Sequence, residues 1–118
     1  MTEKQEGIPI VDDEEAIRRL LHQKLSSEGY QCQQAGNAEQ ALNKLRNNAI
    51  DLVILDIRMP GKSGIELLPE IKASYPDTAV VMATATTDTN IAIQCMKQGA
   101  YDYITKPFNL DEVILSVD

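Results

Sequence analysis

Short apolar, β-branched runs alternate along the chain with longer stretches of helical period, the pattern of a parallel sheet joined by crossover helices. Ile8–Val11 is the first such run. A helix follows over residues 14–28, with Ile17, Leu20, Leu21 and Leu25 on one face and Gly29 as its stop. Residues 30–34 alternate weakly and read as an exposed edge strand, after which Asn37 can cap a helix that turns Ala38, Ala41, Leu42 and Leu45 inward. Residues 50–55 are apolar except for Asp51, as expected of a central parallel strand covered on both faces, and the run stops at Asp56.

Turn formers crowd Arg58-Met59-Pro60-Gly61-Lys62-Ser63-Gly64, and a helix over about residues 65–74 should bury Leu67, Leu68 and Ile71. Pro69 lies near its beginning, so this helix is expected to start late or to bend. Residues 79–83 read as a fourth strand, and residues 89–98 as a fourth helix with Ile93 and Met96 inward and Gly99 as its stop. A short fifth strand spans 101–104, and Asn109-Leu110-Asp111-Glu112 has the spacing of a helix start, leaving about two turns before Asp118. Five β/α units predict an α/β protein with a doubly wound parallel sheet, whose ligands gather beyond the carboxyl ends of the central strands.

Composition narrows the class. With 118 residues there is room for one domain, residues 8–118, behind a polar tail of residues 1–7. Because the last helix stops short, the parent protein is expected to continue beyond it into an output region. Eighteen acidic against eleven basic side chains give a net charge of -7, which repels phosphate backbones and argues against direct nucleic-acid binding. Cys32 and Cys95 make neither a disulfide framework nor a zinc ligand set, which suits a reduced, cytoplasmic setting. No apolar run approaches the roughly 20 residues that span a bilayer, and the polar opening is unlike a secretory signal.

The chemistry gathers at strand ends. Asp12 and Asp13 close the first strand and Asp56 the third, so adjacent placement of those strands would bring three carboxylates into one crevice. Taken alone, Asp12-Asp13-Glu14-Glu15 would serve the start of the first helix. Asp56 precedes no immediate helix and is neither a cap nor a solvated face. Crowded carboxylates repel one another, and a hard divalent cation with oxygen ligands, best Mg²⁺, relieves them. Thr84 ends the fourth strand with a hydroxyl, and Lys106 follows the fifth with a point cation for Asp56 or for phosphate oxygens. A cis bond between Lys106 and Pro107 would be one way to aim that lysine inward.

Four segments then stand out together: Val11-Asp12-Asp13-Glu14, Leu55-Asp56-Ile57-Arg58-Met59-Pro60-Gly61, Ala83-Thr84-Ala85, and 99–108 ending in Thr105-Lys106-Pro107-Phe108. Their spacings are 43 residues from Asp13 to Asp56, 28 more to Thr84 and 22 more to Lys106. In these features the chain resembles the receiver domain of two-component response regulators over essentially its whole length. The resemblance implies a three-layer sandwich of flavodoxin-like type with strand order 2-1-3-4-5. It implies that Asp56 accepts a phosphoryl group from a histidine kinase or histidine phosphotransfer protein. Mg²⁺ would be bound by Asp13, Asp56 and the backbone carbonyl of Arg58, with Asp12 acting through a water, while Lys106 neutralises the moving oxygens. Thr84 would then move to the phosphoryl group and Tyr103 would turn inward, altering the face made by the fourth helix, fifth strand and fifth helix. That face is also where the resemblance places a homodimer. Such a domain phosphorylates and dephosphorylates itself as a signalling element, without being a turnover enzyme.

Some features depart from the family or tune it. Pro9 stands where the family has an aliphatic residue and deletes a ladder hydrogen bond from a central strand, so local weakening is expected. The last helix is shorter than the family's, which counts against a dimer made through it. Arg58 and Thr86 occupy positions that the family varies to set the phosphoryl lifetime. His22 falls off the apolar stripe of the first helix and is expected at the surface. Three rivals remain: a small aspartyl-phosphate phosphohydrolase, which should carry an acid where Arg58 stands; a flavodoxin-type cofactor carrier, whose phosphate Asp12 and Asp13 would repel; and a receiver-like module that binds partners without phosphorylation.

Overall fold

The computed structural model describes residues 7–47, 50–85 and 89–106. Five strands form one parallel sheet in the order β2-β1-β3-β4-β5. They are β1 (Ile8–Val11), β2 (Cys32–Ala35), β3 (Leu52–Leu55), β4 (Ala79–Thr84) and β5 (Asp102–Thr105). Between them run α1 (Glu15–Ser27), α2 (Ala38–Asn47), α3 (Gly64–Ser74) and α4 (Thr89–Lys97). The expected class and strand order are both present. The region of a fifth helix, the Lys106–Pro107 bond, Thr86 and the first six residues of the tail lie outside the described residues.

Alternation along each strand builds the layers. Ile8, Ile10, Ile54, Val81, Ala83 and Ile104 point to one side of the sheet and pack with Leu21 and Leu25 of α1. Val11, Val53, Leu55, Val80 and Met82 point to the other and pack with residues of α2, α3 and α4. Neighbouring residues of β3 and β4 thus bury opposite faces, which is why those strands read as continuous apolar runs. Cys32 packs in the first layer and Cys95 in the second, and both thiols are free.

Local signals set the helix ends. The Asn37 side chain accepts a 2.9 Å bond from the Gln40 N–H, as its cap position requires. Gly29 and Gly99 take φ of 97° and 103° after α1 and α4, a conformation open to glycine without strain. α3 does not start late. Ser63 and Glu66 form a reciprocal capping box, so the first turn is complete before Pro69, whose ring lies on the exposed face.

Two inward faces differ from expectation. In α4 the core takes Cys95, with Ile91 half-buried beside it, while Ile93 and Met96 are each 47% exposed. The Ile91–Cys95 pair is spaced one helical turn apart, and the small thiol allows close approach to the sheet. In α1 Leu20 is turned out, leaving Ile17, Leu21 and Leu25 to face the sheet.

Pro9 falls inside β1 as read. Ile8 and Asp12 direct their N–H groups to Gln31 and Ala35 on the β2 side, so the donor that Pro9 lacks would have faced β3. The paired residues agree: β1 matches β2 over four positions, from Ile8 to Val11, but matches β3 only at Ile10 and Val11.

Candidate functional site

Because the strands are parallel, their carboxyl ends share one edge of the sheet. Val11 pairs with Leu55, which sets Asp12 beside Asp56, and the Asp56 N–H closes onto the Val11 carbonyl at 2.9 Å. Thr84 is the last residue of β4, and its carbonyl accepts the Lys106 N–H at 2.7 Å just beyond β5. Four strand ends thus deliver their groups to one place.

Side chains complete the convergence. The Lys106 ammonium lies 2.6 Å from Asp12 Oδ2 and 3.4 Å from Asp56 Oδ2. Ligand oxygens of Asp12, Asp13 and Asp56 all lie within 4.8 Å of one another. Asp12 and Asp56 are buried and Asp13 is exposed. The remaining oxygens of the buried pair are held by backbone: Asp12 Oδ1 accepts the Glu14 N–H at 2.9 Å, and Asp56 Oδ1 accepts the Ile57 N–H at 2.8 Å. The cap position of α1 is Glu14, whose side chain makes no cap bond; Glu15 lies in the first turn, and Asp12 serves the helix start only through the Glu14 N–H.

The electrostatics follow from burial. Desolvation raises the Asp12 carboxyl above its usual value and the Asp56 charge adds to the rise, against the hydrogen bonds from Lys106 and the Glu14 N–H. Burial works against the Lys106 ammonium, but the hydrogen bond to Asp12 and the charges of Asp56 and Asp12 outweigh it and hold that group above its usual value.

A cavity of about 250 Å³ opens over this cluster, lined by Asp13, Glu14, Asp56, Arg58, Thr84, Ala85 and Lys106. A larger one of about 470 Å³ lies between α2 and the loop after β3 and includes Leu42, Arg46 and Pro60. The smaller is the functional candidate, since it alone of the two carries the buried carboxylate and ammonium. Tyr103 does not line it. Tyr103 stands opposite Met82 on β5, and Thr84 follows Met82 by two residues, so tyrosine and threonine project to the same face of the sheet. The ring is half-buried against the layer of α2, α3 and α4. His22 is half-buried rather than fully at the surface, with Nδ1 3.4 Å from the Ser26 hydroxyl within α1.

Three residues near the site escape a reading of sequence alone. Glu14 brings Oε1 to 3.5 Å from the Lys106 ammonium, a contact across 92 positions. Arg18 of α1 donates to the Asp12 carbonyl at 2.6 Å and to Gln34 Oε1 at 3.2 Å, tying the acidic loop to the edge strand. Gly64 packs so closely under the acceptor loop that a Cβ there would overlap the Asp56 carbonyl oxygen and stand 2.8 Å from Ile57 Cα. A glycine at the first position of a capped helix was the available signal for that approach.

Fold and site together define a single doubly wound α/β domain with a cation-competent acidic crevice at the carboxyl edge of its sheet. Residues 8–118 match the model of the response regulator receiver domain, and the chain belongs to that family, the phosphoacceptor signalling domains of two-component systems. It is 39% identical over 115 residues to the DNA-binding transcriptional regulator NtrC of Klebsiella pneumoniae, covering 97% of this chain and 24% of that protein. It is 41% identical over 108 residues to a putative NtrX-like response regulator of Rickettsia felis, covering 90% of this chain and 23% of that protein. The chain therefore spans about a quarter of the length of these relatives. Among solved structures, the NtrX receiver domain of Brucella abortus superposes with a TM-score of 0.88 at 40% identity, covering 93% of each chain. A receiver domain protein of Methanospirillum hungatei gives 0.90 at 31% identity, covering 97% of this chain and 91% of that one. No helix among the described residues is long and apolar enough to cross a membrane.

Proposed function

We propose that Asp56 is the phosphoacceptor of this receiver domain and takes its phosphoryl group from a phosphohistidine of a histidine kinase or histidine phosphotransfer protein. The observation that carries this reading is the meeting of Asp56 with Asp12, Asp13, Thr84 and Lys106 around one cavity of about 250 Å³. An Asp56 carboxylate oxygen forms a bond to phosphorus as the phosphorus–nitrogen bond breaks, and the imidazole leaves with the electron pair and takes up a proton. Lys106 offsets charge on the transferring oxygens, and the Ile57 N–H and Gly64 contact keep the acceptor oriented.

The donor set fits Mg²⁺: three clustered carboxylates offer hard oxygens, and among the described residues one ammonium meets them, which leaves negative charge uncompensated. Asp13, Asp56 and the Arg58 carbonyl would hold the ion and Asp12 would act through a water. When bound, the ion supplies charge neutralisation for the phosphoryl oxygens. Thr84 would follow the phosphoryl group and Tyr103, on the same face, would turn into the space vacated. The readout would be the surface of α4 and β5, where Ile93, Met96 and Tyr101 are exposed, which also supports this face as a homodimer surface. Loss of the phosphoryl group by autohydrolysis completes the cycle. Arg58, exposed at the cavity wall two residues after the acceptor, stands against the phosphohydrolase reading. The relatives' greater length and the printed DNA-binding role of NtrC support a longer, cytoplasmic parent protein with an output region.

Intact mass spectrometry after incubation with acetyl phosphate and Mg²⁺ should show the gain of one phosphoryl group, and Asp56→Asn should abolish it. Label that persists in that variant refutes the assignment of the acceptor.

A further inference from the structure

Among the described residues, Glu14 is the one carboxylate lining the cavity that the receiver chemistry leaves without a task. It stands immediately after the acidic pair, and its N–H already serves Asp12. Its side chain makes no helix cap, yet it reaches across the cavity mouth to within 3.5 Å of the Lys106 ammonium. The two ends of this ion pair differ sharply in exposure: the Lys106 side chain is 11% exposed and that of Glu14 is 64% exposed. One end therefore lies inside the crevice and the other lies where an incoming molecule first meets it. Both residues line the cavity together with Asp56.

We propose that Glu14 is a specificity-determining residue that restrains phosphorylation of Asp56 by small anionic donors, by placing a negative charge at the cavity mouth and occupying Lys106. The inference rests on the reading of Asp56 as acceptor. A donor such as acetyl phosphate arrives as a dianion. Its phosphorus forms a bond to the Asp56 oxygen as the bond to acetate breaks, and acetate leaves with the electron pair. Both the approach of the dianion and the neutralisation of its oxygens by Lys106 are opposed by a carboxylate already engaged with that ammonium. A protein donor can offset the same charge with its own surface, so Glu14 would favour a macromolecular source over free metabolic phosphate esters and anhydrides.

The test compares Glu14→Gln with the unmodified chain at saturating Mg²⁺, following acyl phosphate formation by mass spectrometry. Because Glu14 contributes no cap bond, the glutamine should leave α1 intact, which circular dichroism checks. The substitution should speed labelling by acetyl phosphate about three- to tenfold at low salt. The gain should shrink near 1 M salt, where screening falls to about 3 Å. It should be smaller with phosphoramidate, which carries less net charge, and Glu14→Asp should restore most of the restraint by keeping the carboxylate. Equal rates for Glu14→Gln and the unmodified chain, both labelled at Asp56, overturn the inference and leave the acceptor reading standing. A gain that ignores salt, or that Glu14→Asp shares, also overturns it. No labelling of the unmodified chain overturns both.

Discussion

Leu55 and Asp56 are adjacent in the chain and nearly sealed from solvent, yet burial acts on them in opposite senses. The same boundary falls between Val11 and Asp12. On the strand side of this line, removal from water stabilises the fold in proportion to apolar area. On the carboxyl side, it penalises two carboxylates that a single ammonium compensates only in part. The body of the sheet is built to hold shape, and its carboxyl edge keeps an electrostatic tension that a cation and a phosphoryl group can relieve. Function sits where the residues are buried against their preference.

Several changes would break or sharpen that contrast. Leu55→Ala attacks the apolar side and should lower unfolding stability by about 2–5 kcal/mol in denaturant titration, the usual result of emptying a filled core position. Acyl phosphate formed per folded molecule should change far less. On the charged side, Mg²⁺ at a hundred times its dissociation constant should stabilise the protein by about 2.7 kcal/mol, read as a rise in melting temperature. Asp13→Ala should remove most of that gain. Gly64→Ala crosses the boundary, since its methyl group would collide with the backbone of Asp56 and Ile57. It should cost about 1–3 kcal/mol and slow acceptor labelling as well, unlike the Leu55 change.

The smallest effect concerns pH. Burial raises the Asp12 carboxyl above its ordinary 3.8, so the folded protein holds that proton more tightly than the unfolded chain does. Stability in the absence of Mg²⁺ should therefore fall as pH rises from 3.8 through the raised value. Asp12→Asn should flatten this decline and raise the melting temperature slightly at neutral pH. Lys106 follows the same sign at the alkaline end of the range: its contribution is complete below 10.5 and is lost as pH climbs through its raised value. Melting curves across the pH range check both declines, and an acid-side decline that Asp12→Asn leaves unchanged would put its origin in other groups.

Much of this architecture could be read from sequence because β-branched runs and turn glycines are local signals. The class and the face of α3 follow from them, whereas the strand order, a non-local property, comes only with the resemblance to receiver domains. The face of α4 does not. Ile91, Ile93, Cys95 and Met96 are apolar nearly all round a nine-residue helix, so only packing against the sheet decides that Cys95 goes under and Met96 stays out. Ser63 and Glu66 are a legible capping pair that completes the first turn of α3 ahead of Pro69, which removes the reason for a late start. At the site, Asp56 announces itself as an acid closing a buried strand, and Lys106 by its place after the last one. Glu14 carries no comparable signal, because its contact with Lys106 joins segments 92 residues apart, while Arg18 acts on the Asp12 carbonyl only six residues away and Gly64 shows itself only as a glycine opening a capped helix.

The convergence of strand-end groups on one phosphoryl site is tested most directly by amide resonances recorded as Mg²⁺ and beryllium fluoride are added to the protein. The largest shifts should fall at residues 12–14, 56–58, 84–85 and 106, with Tyr103 following, and Asp56→Asn should suppress those that depend on beryllium fluoride. Shifts confined to another surface, or none at these positions when both additives are saturating, would contradict it.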